Sequence, residues 1–312
     1  MDFDKILVTG GSGLLGRFVV DEMLPHCNVS VLDIKPPVQT VDYRETDILD
    51  AKAVTAAVAG HDAIIHLAGI DDGNDFPDYD YFRTNVQGTW NLLHAAEAAG
   101  VRKIVVASST AAYGVGRDRM PDYLPVDEDH RQRPTATYGL TKQIIEVQCR
   151  SFVARGALSI VCLRPTLIVR PEREAAILAQ LDLDDPDSDP PENAPTTGDD
   201  APYGALSVLR SYVRSADAAR CFRLALGFDE ERFDVFNVGA ADGIGHEKTL
   251  PRLEAAYGRL PEIRRTGHYN RDPFASTLDS SRARERLGWE PRGDWDSIVN
   301  QHRPTNQKET RP

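Results

Sequence analysis

The sequence predicts an α/β protein: a doubly wound parallel sheet with helices on both faces, followed by a small C-terminal lobe. Three observations carry this. Short apolar runs of strand length alternate with amphipathic segments of helical length through the first two-thirds of the 312 residues. A glycine-rich turn joins the first run to the first helical segment. The alternation then stops at an Asp- and Pro-rich stretch, residues 182–202, and resumes in a different rhythm.

Taken in order, Ile6-Leu7-Val8 is a short buried strand. Leu14 to Leu24 follows as a helix with Leu14, Leu15, Phe18, Val19 and Met23 on its apolar face. Val29–Asp33 is the second strand, Ala51–Ala59 a helix closed by Gly60, and Ala63–Leu67 a further strand. A long helix is expected over Tyr79–Ala99, ending at Gly100, then a strand over Lys103–Ser108. A second long helix should occupy Thr137–Ala154 before Gly156. Ser159–Leu163 is strand again, with Arg164-Pro165 expected to stop it. Beyond the acidic stretch, read as a solvated loop or a cover over a site, Ala216–Leu226 reads as helix and Phe233–Val238 as strand. Leu250–Tyr257 and Ser281–Leu287 supply helices of a small lobe.

Composition excludes several classes. With 48 acidic and 36 basic residues the net charge is −12, which opposes general nucleic-acid binding because phosphate neutralisation needs a basic face. No apolar run approaches the roughly 18 residues that span a bilayer, and no signal peptide fits the acidic start of the chain. Cys27, Cys149, Cys162 and Cys221 are too widely spaced for a zinc site or a disulfide framework, so reduced thiols in a cytoplasmic protein are expected. No His/Asp cluster has metal-ligand spacing, so no metal is expected.

The chemistry concentrates in two places. Residues Thr9 to Gly16 read TGGSGLLG, a strand–turn–helix in which Gly10, Gly11, Ser12, Gly13, Leu14, Leu15 and Gly16 would bring backbone N–H groups and a helix N-terminus against a pyrophosphate. Asp33, at the end of the second strand, suits both hydroxyls of an adenosine ribose and would repel a 2′-phosphate, favouring NAD over NADP. Lys35 nearby would offset part of that repulsion. Asp47 and Ile48 either meet the adenine or belong to the cap of the helix beginning at Ala51.

The second place is Tyr138-Gly139-Leu140-Thr141-Lys142, which sets a phenol and an ammonium at i and i+4 on one helix face. A free phenol, with a pKa of about 10, is a poor base at neutral pH. A neighbouring cation is expected to lower it, so that Tyr138 takes the proton of a carbinol while hydride leaves the same carbon. Lys142 would also hold a ribose hydroxyl of the cofactor. A hydroxyl of the ASSTAAYG run at the end of the fifth strand would hold the reacting oxygen against the phenol.

Together these residues resemble the extended short-chain dehydrogenase/reductase family, in its NAD-dependent epimerase/dehydratase branch. The resemblance rests on TGGSGLLG (9–16), Asp33, TDIL (46–49), HLAG (66–69), NVQGTWNLLHAA (85–96), ASSTAAYG (107–114) and YGLTK (138–142). It implies a Rossmann-type NAD-binding domain over residues 1–168, with elements returning at about 206–240. It also implies a small substrate lobe from 169–205 and 241–302, and a frayed tail at 303–312. It implies Ser109, Tyr138 and Lys142 as the catalytic set, and Asn85 fixing the long helix near the cofactor. His66, Leu67, Ala68 and Gly69 would line the cofactor.

The departures narrow the activity. Dehydratases of this family carry an Asp-Glu pair after the catalytic Thr. Here Thr110 and Ala111 stand there, so elimination of water lacks its acid and base. The Asn usual after the Arg-Pro of the sixth strand is also missing. The expected activity is hydride transfer at a secondary alcohol of a sugar or sugar nucleotide, as an epimerase or as a uronate-like dehydrogenase releasing NADH. The alternative of another class is a non-catalytic dinucleotide sensor. Arg117, Arg119, Arg131, Arg133, Arg164 and Arg170 are candidate anion anchors in a pocket shaped by residues 71–82, 112–135 and 166–205. The two long helices, with Ile144, Ile145, Val147 and Phe152 on the second, are expected to pair across a two-fold axis as a homodimer.

Overall fold

The structure, a computed structural model, describes residues 3–72, 76–183 and 209–302. Nearly all of the acidic 182–202 stretch, and the tail from 303, lie outside them. The first half runs β1 (Lys5–Thr9), α1 (Gly16–Met23), β2 (Asn28–Asp33), β3 (Asp42–Glu45), α2 (Ala51–Val58) and β4 (Ala63–His66). It continues α3 (Asp78–Tyr81), a π-helical turn (Phe82–Gln87), α4 (Gly88–Ala99), β5 (Lys103–Ala107), a 3₁₀ turn (Thr110–Tyr113) and β6 (Tyr123–Leu124). The second half runs α5 (Thr137–Arg155), β7 (Ser159–Pro165), β8 (Leu167–Val169), α6 (Pro171–Leu183), β9 (Tyr212–Arg214), α7 (Ser215–Leu226) and β10 (Phe233–Val238). It ends α8 (Thr249–Tyr257), β11 (Glu262–Ile263), α9 (Thr266–Arg271), α10 (Ser281–Leu287) and α11 (Trp295–His302).

Seven of the strands form one parallel sheet in the order β3-β2-β1-β4-β5-β7-β10. All but the edge strand β3 are largely buried on both faces, which is why they read as continuous apolar runs rather than alternating ones. Ile6, Val8, Ile65, Val105 and Val161 face a core shared with α1, α7 and α10. Leu7, Ile64, Ile104, Val106 and Cys162 face one shared with α2, α4 and α5. Strand order reverses between β1 and β4, and a crevice at such a switch point, beyond the carboxyl ends of the strands, is where ligands of open α/β sheets bind.

Several elements differ from expectation. Leu14 and Leu15 precede α1 rather than lining it, and Leu14 is 40% exposed. The sixth sheet strand does not stop at Arg164-Pro165. It continues to Pro165, because Asn237 and Val238 of β10 pair with those two residues. Helix α6 extends through 182–183, where the acidic loop was expected to begin. Pro171 at its first position and Glu172 and Glu174 in its first turn are ordinary helix-start chemistry. Helix α11 begins at Trp295, just after Asp294, whose carboxylate accepts from the Ser297 backbone N–H. The long helix 78–99 is interrupted by the π turn around Asn85, a distortion common at functional sites.

Outside the large sheet, β8 pairs with β9 and joins α6 and α11 in a core built on Tyr212, Ile177 and Trp295. A further cluster unites Tyr113, Leu124, Leu253 and Tyr269 beneath β6 and β11. Both lie beyond the carboxyl edge of the sheet, so the crevice has a floor on that side.

Candidate active site

The turn after β1 is folded as tightly as its glycines allow. Gly10 has φ +70° and a Cβ there would lie 2.6 Å from the Ala68 backbone nitrogen; one on Gly16 would lie 2.0 Å from the Gly10 oxygen. Side chains are therefore excluded, and the start of α1 is drawn against the ends of β1 and β4. Helix α1 has no side-chain cap and no acid in its first turn, so no side chain of that turn answers its N-terminal dipole. This backbone-lined cradle fits a dinucleotide pyrophosphate.

Asp33, half-buried at the end of β2, accepts from the backbone N–H of Ser12 (3.0 Å) and of Lys35 (3.1 Å), and Ser12 Oγ donates to the Lys35 carbonyl (2.6 Å). The carboxylate thus fastens the cradle to β2 and retains lone pairs for further donors. Asp47 is exposed and accepts from the Leu49 backbone N–H. The cap of α2 is Asp50, which accepts from Lys52 and Ala53. Ile48 is buried against α4 at Gly88.

Leu67, Ala68 and Gly69 follow β4 at the mouth of the crevice. His66 does not line it: its imidazole is buried between Thr9 Oγ1 (2.7 Å) and Thr89 Oγ1 (2.9 Å). Burial pushes its pKa down to about 3, so it is a neutral brace between β1 and α4. Asn85, fully buried in the π turn, accepts from the Ile70 backbone N–H (2.7 Å) and donates to the Ile70 carbonyl (3.0 Å) and Thr141 Oγ1 (3.2 Å). It pins the loop after β4 to α5.

On α5, Tyr138, Lys142 and Glu146 stand at i, i+4 and i+8 on one face. That face meets the end of β5 residue by residue. Glu146 accepts from Ser108 Oγ (2.6 Å), Lys142 Nζ donates to the Ala107 carbonyl (2.9 Å), and Ser109 stands near enough to the Tyr138 phenol to act on its proton affinity. The close approach needs Gly139, since a Cβ there would lie 2.5 Å from the Ala111 carbonyl oxygen. Ser109, Tyr138 and Lys142 are thereby brought together at the carboxyl edge, on the same side as the cradle.

The electrostatics of the phenol differ from expectation. Its pKa is raised, not lowered: burial is the main cause and the Asp71 carboxylate the next, with Ser109 acting in the opposite sense. Lys142 does not reverse this. Its ammonium lies 5.4 Å from the Tyr138 ring centroid, bonded to a carbonyl, and burial pushes its pKa down to about 8 against the pull of Asp71. The phenol donates to Asp71 Oδ1 at 3.2 Å. Asp71 and Glu146 were not singled out from sequence. The i+8 spacing on α5 carried a signal for Glu146, whereas nothing local marks Asp71, a loop residue that meets α5 only in the folded chain.

Of the candidate anion anchors, Arg164 is fully engaged elsewhere. It makes a two-pronged pair with Glu146 (2.8 and 2.7 Å) and also donates to Tyr113 Oη (2.7 Å) and the Glu128 carbonyl (3.1 Å), with its side chain 5% exposed. Arg170 pairs with Glu172 (3.2 Å). Arg133 pairs with Asp122, and Arg119 donates to the Arg133 carbonyl. Arg117 and Arg131 are exposed.

Comparison with known proteins identifies the family. Residues 6–239 match the family model described as the NAD dependent epimerase/dehydratase family. UDP-glucose 4-epimerase of Corynebacterium glutamicum is 29% identical over 309 residues, covering 92% of this chain and 91% of that protein. A short-chain dehydrogenase/reductase superfamily protein of Agrobacterium tumefaciens with bound NAD superposes with TM-score 0.70 at 26% identity, covering 95% of each chain. UDP-glucose 4-epimerase of Thermus thermophilus in complex with NAD gives 0.65 at 26% identity, covering 94% and 96%. The chain belongs to the NAD-dependent epimerase/dehydratase family, as an NAD-using enzyme of the extended short-chain dehydrogenase/reductase type.

Proposed function

We propose that this protein interconverts or oxidises a secondary alcohol of a sugar, with a sugar nucleotide as first candidate and epimerisation as first outcome. The observation that carries the reading is the convergence of Ser109, Tyr138 and Lys142 beside the glycine cradle. A dinucleotide sensor has no use for that convergence. The kinship with UDP-glucose 4-epimerases over nine-tenths of the chain supports the sugar-nucleotide substrate.

In this reading the backbone of Gly10 to Gly16 and the start of α1 hold the pyrophosphate, and Asp33 accepts from the adenosine ribose. Asp47 and Ile48 border the adenine; Leu67, Ala68 and Gly69 line the crevice; Asn85 holds the wall in place. Lys142 and Tyr138 meet the nicotinamide ribose. Bound NAD supplies the hydride acceptor and, when oxidised, a positive charge. Tyr138 moves a proton between its oxygen and the carbinol oxygen, which requires them within about 2.6–3.2 Å. Ser109 donates to the same oxygen. Lys142 presents its ammonium to the phenolate once the phenol has given up its proton. Thr110 and Ala111, beside Ser109, offer no acid–base pair, so elimination of water is not part of the reaction. The small lobe, of which residues 169–183 and 241–302 are described, covers the substrate.

Incubation with NAD and a panel of sugars and sugar nucleotides tests the reading. Inversion at one carbon without net NADH identifies the epimerase, and stoichiometric NADH the dehydrogenase. Bound NAD with neither outcome, and activity in the cell unaffected by Tyr138→Phe, would identify the sensor.

Two further features belong to the same proposal. Tyr79, Phe82, Trp90, Leu140 and Val147 are exposed on the two long helical segments, Val147 by 62%, and fit pairing with a second copy. A monomer mass at micromolar concentration would refute that. Four free cysteines, three of them buried, fit the reducing cytoplasm, and no described helix is long and apolar enough to cross a membrane.

A further inference from the structure

We propose that His66 is a positioning residue: as its Nε2–H tautomer it is the central link in a one-way chain of hydrogen bonds that ties the dinucleotide cradle to the turn of α5 carrying Tyr138. The proposal rests on the function given above and adds what aligns the cofactor wall with the phenol.

The chain starts at the crevice wall. The Ala68 backbone N–H donates to Thr9 Oγ1 (3.3 Å), and Thr9 Oγ1 meets His66 Nδ1 at 2.7 Å. On the other side of the ring, His66 Nε2 meets Thr89 Oγ1 at 2.9 Å, and Thr89 Oγ1 donates to the Asn85 carbonyl (2.6 Å). The Asn85 side chain carries the chain on: its Nδ2 donates to Thr141 Oγ1 (3.2 Å), which donates to the Tyr138 carbonyl (2.7 Å). Thr9, His66, Asn85, Thr89 and Thr141 are all buried, none more than 3% exposed.

The direction of the chain is forced. Two oxygens 2.6 Å apart need a proton between them, and facing a carbonyl only the Thr89 hydroxyl has one to give. Thr89 therefore accepts from His66, which places the ring proton on Nε2. Burial, and after it the Lys142 charge, push the His66 pKa down to about 3, so Nδ1 carries no proton. Thr9 must then donate to Nδ1 while it accepts from Ala68. The Asn85 amide is fixed in the same way, because its Oδ1 accepts from the Ile70 N–H (2.7 Å). Donors and acceptors match at each link, and a buried network so satisfied is rigid.

The two ends give the chain its use. Ala68 packs against Gly10 of the cradle, and Tyr138 is the proton carrier of the proposed reaction. His66 touches no reacting atom; it acts through Thr89 and Asn85. A dinucleotide seated against the cradle and Leu67–Gly69 is thereby registered at α5, and a misplacement of about 1 Å there costs up to about 100-fold in rate.

Long-range 1H–15N spectra of the NAD-loaded protein should show the His66 ring protonated at Nε2 alone from about pH 5.5 to about 8. An Nδ1–H ring or an imidazolium overturns the assignment. Thr89→Val, which keeps the shape and removes the hydroxyl, should lower kcat for sugar conversion by about 10- to 100-fold while NAD binds within about threefold of wild type. Thr89→Ser should bring kcat back to within about fivefold. Thr141→Val and Thr141→Ser should repeat the pattern from the other end, and they carry the test if Thr89→Val does not fold. Independently of any sugar, NAD should slow amide exchange over residues 137–142 by about tenfold in wild type and by less than about threefold in the valine variants. A kcat unchanged by valine, equal losses with serine and valine, or equal slowing by NAD in wild type and valine variants overturns the relay alone. Wild type that shows the expected tautomer and exchange pattern but converts no sugar overturns the sugar reading and leaves the relay standing.

Discussion

Two clusters on the same face of α5 pair a tyrosine with an acid and a cation, and they are built in opposite ways. In the deeper one, Arg164 meets Glu146 with both prongs, Tyr113 Oη accepts from Arg164 and donates to Asn237 Oδ1, and Ser108 and Gln132 fill the remaining sites on Glu146. Burial alone would push the Glu146 carboxyl up, but these partners outweigh it and hold it below its ordinary value. In the outer cluster, two turns along the helix, the Tyr138 hydroxyl is bonded to Asp71 rather than to the cation, and its phenol is pushed up. Lys142 is buried and pushed down to about 8. Matched donors and acceptors make the inner cluster scaffold. The outer cluster sets a raised phenol against a carboxylate, a mismatch that scaffold does not need and that functional sites carry.

The comparison can be broken at its strongest point first. Tyr138→Phe should cut turnover by about a thousandfold or more while NAD binding, read by fluorescence titration, stays close to wild type. A variant within tenfold of wild type in turnover would show the outer cluster to be scaffold as well. Glu146→Ala should instead act on stability, because it leaves a guanidinium buried without its partner. A loss of about 3–5 kcal/mol is expected in urea denaturation, and a loss under 1 kcal/mol would remove the distinction drawn here.

A finer test lies at the rim of the inner cluster. Glu128 is buried, accepts from the Asn237 backbone N–H (2.8 Å) and lies 3.6 Å from Arg282. Burial nevertheless pushes its pKa up to about 7. Because the folded value exceeds the unfolded one of about 4.5, the folded state binds the extra proton. The contribution is full below pH 4.5 and is lost as pH rises to 7, by at most about 3 kcal/mol. Glu128→Gln should flatten that part of the stability–pH curve relative to wild type, and parallel curves would contradict the assignment.

The smallest expected effects come from two adjacent serines with opposite partners. Ser109→Ala should lower turnover by about 10- to 100-fold with little change in unfolding midpoint. Ser108→Ala should cost about 1 kcal/mol of stability through Glu146 and leave turnover within a few-fold. An exchange of these outcomes would mean that the boundary between the clusters runs on the other side of Ser108.

Much of this was legible in the chain because it depends on local spacing. Gly60 and Gly100 end α2 and α4 with positive φ as expected, and the strand at Phe233–Val238 and the helix at Ser281–Leu287 have the expected limits. The glycine cradle and the Tyr138–Lys142 pair are likewise strings within one turn or one helix. Helix α6 starts with Pro171 and two glutamates, but the Asp- and Pro-rich run that follows it hides that signal in the sequence. Arg164 looked like an anchor because an arginine at a strand end meets Glu146 and Tyr113 only through pairings 18 and 51 residues apart.

The sequence by itself determined the parallel sheet, the cradle at its switch point and the Tyr138–Lys142 pair, since each follows from periodicity and from the spacing of a few residues along the chain. Only the tertiary structure decided the charge around the phenol. Asp71 lies 67 residues before Tyr138, and burial, which sets both the phenol's and the lysine's proton affinity, exists only once β4, the π turn and α5 have closed on one another.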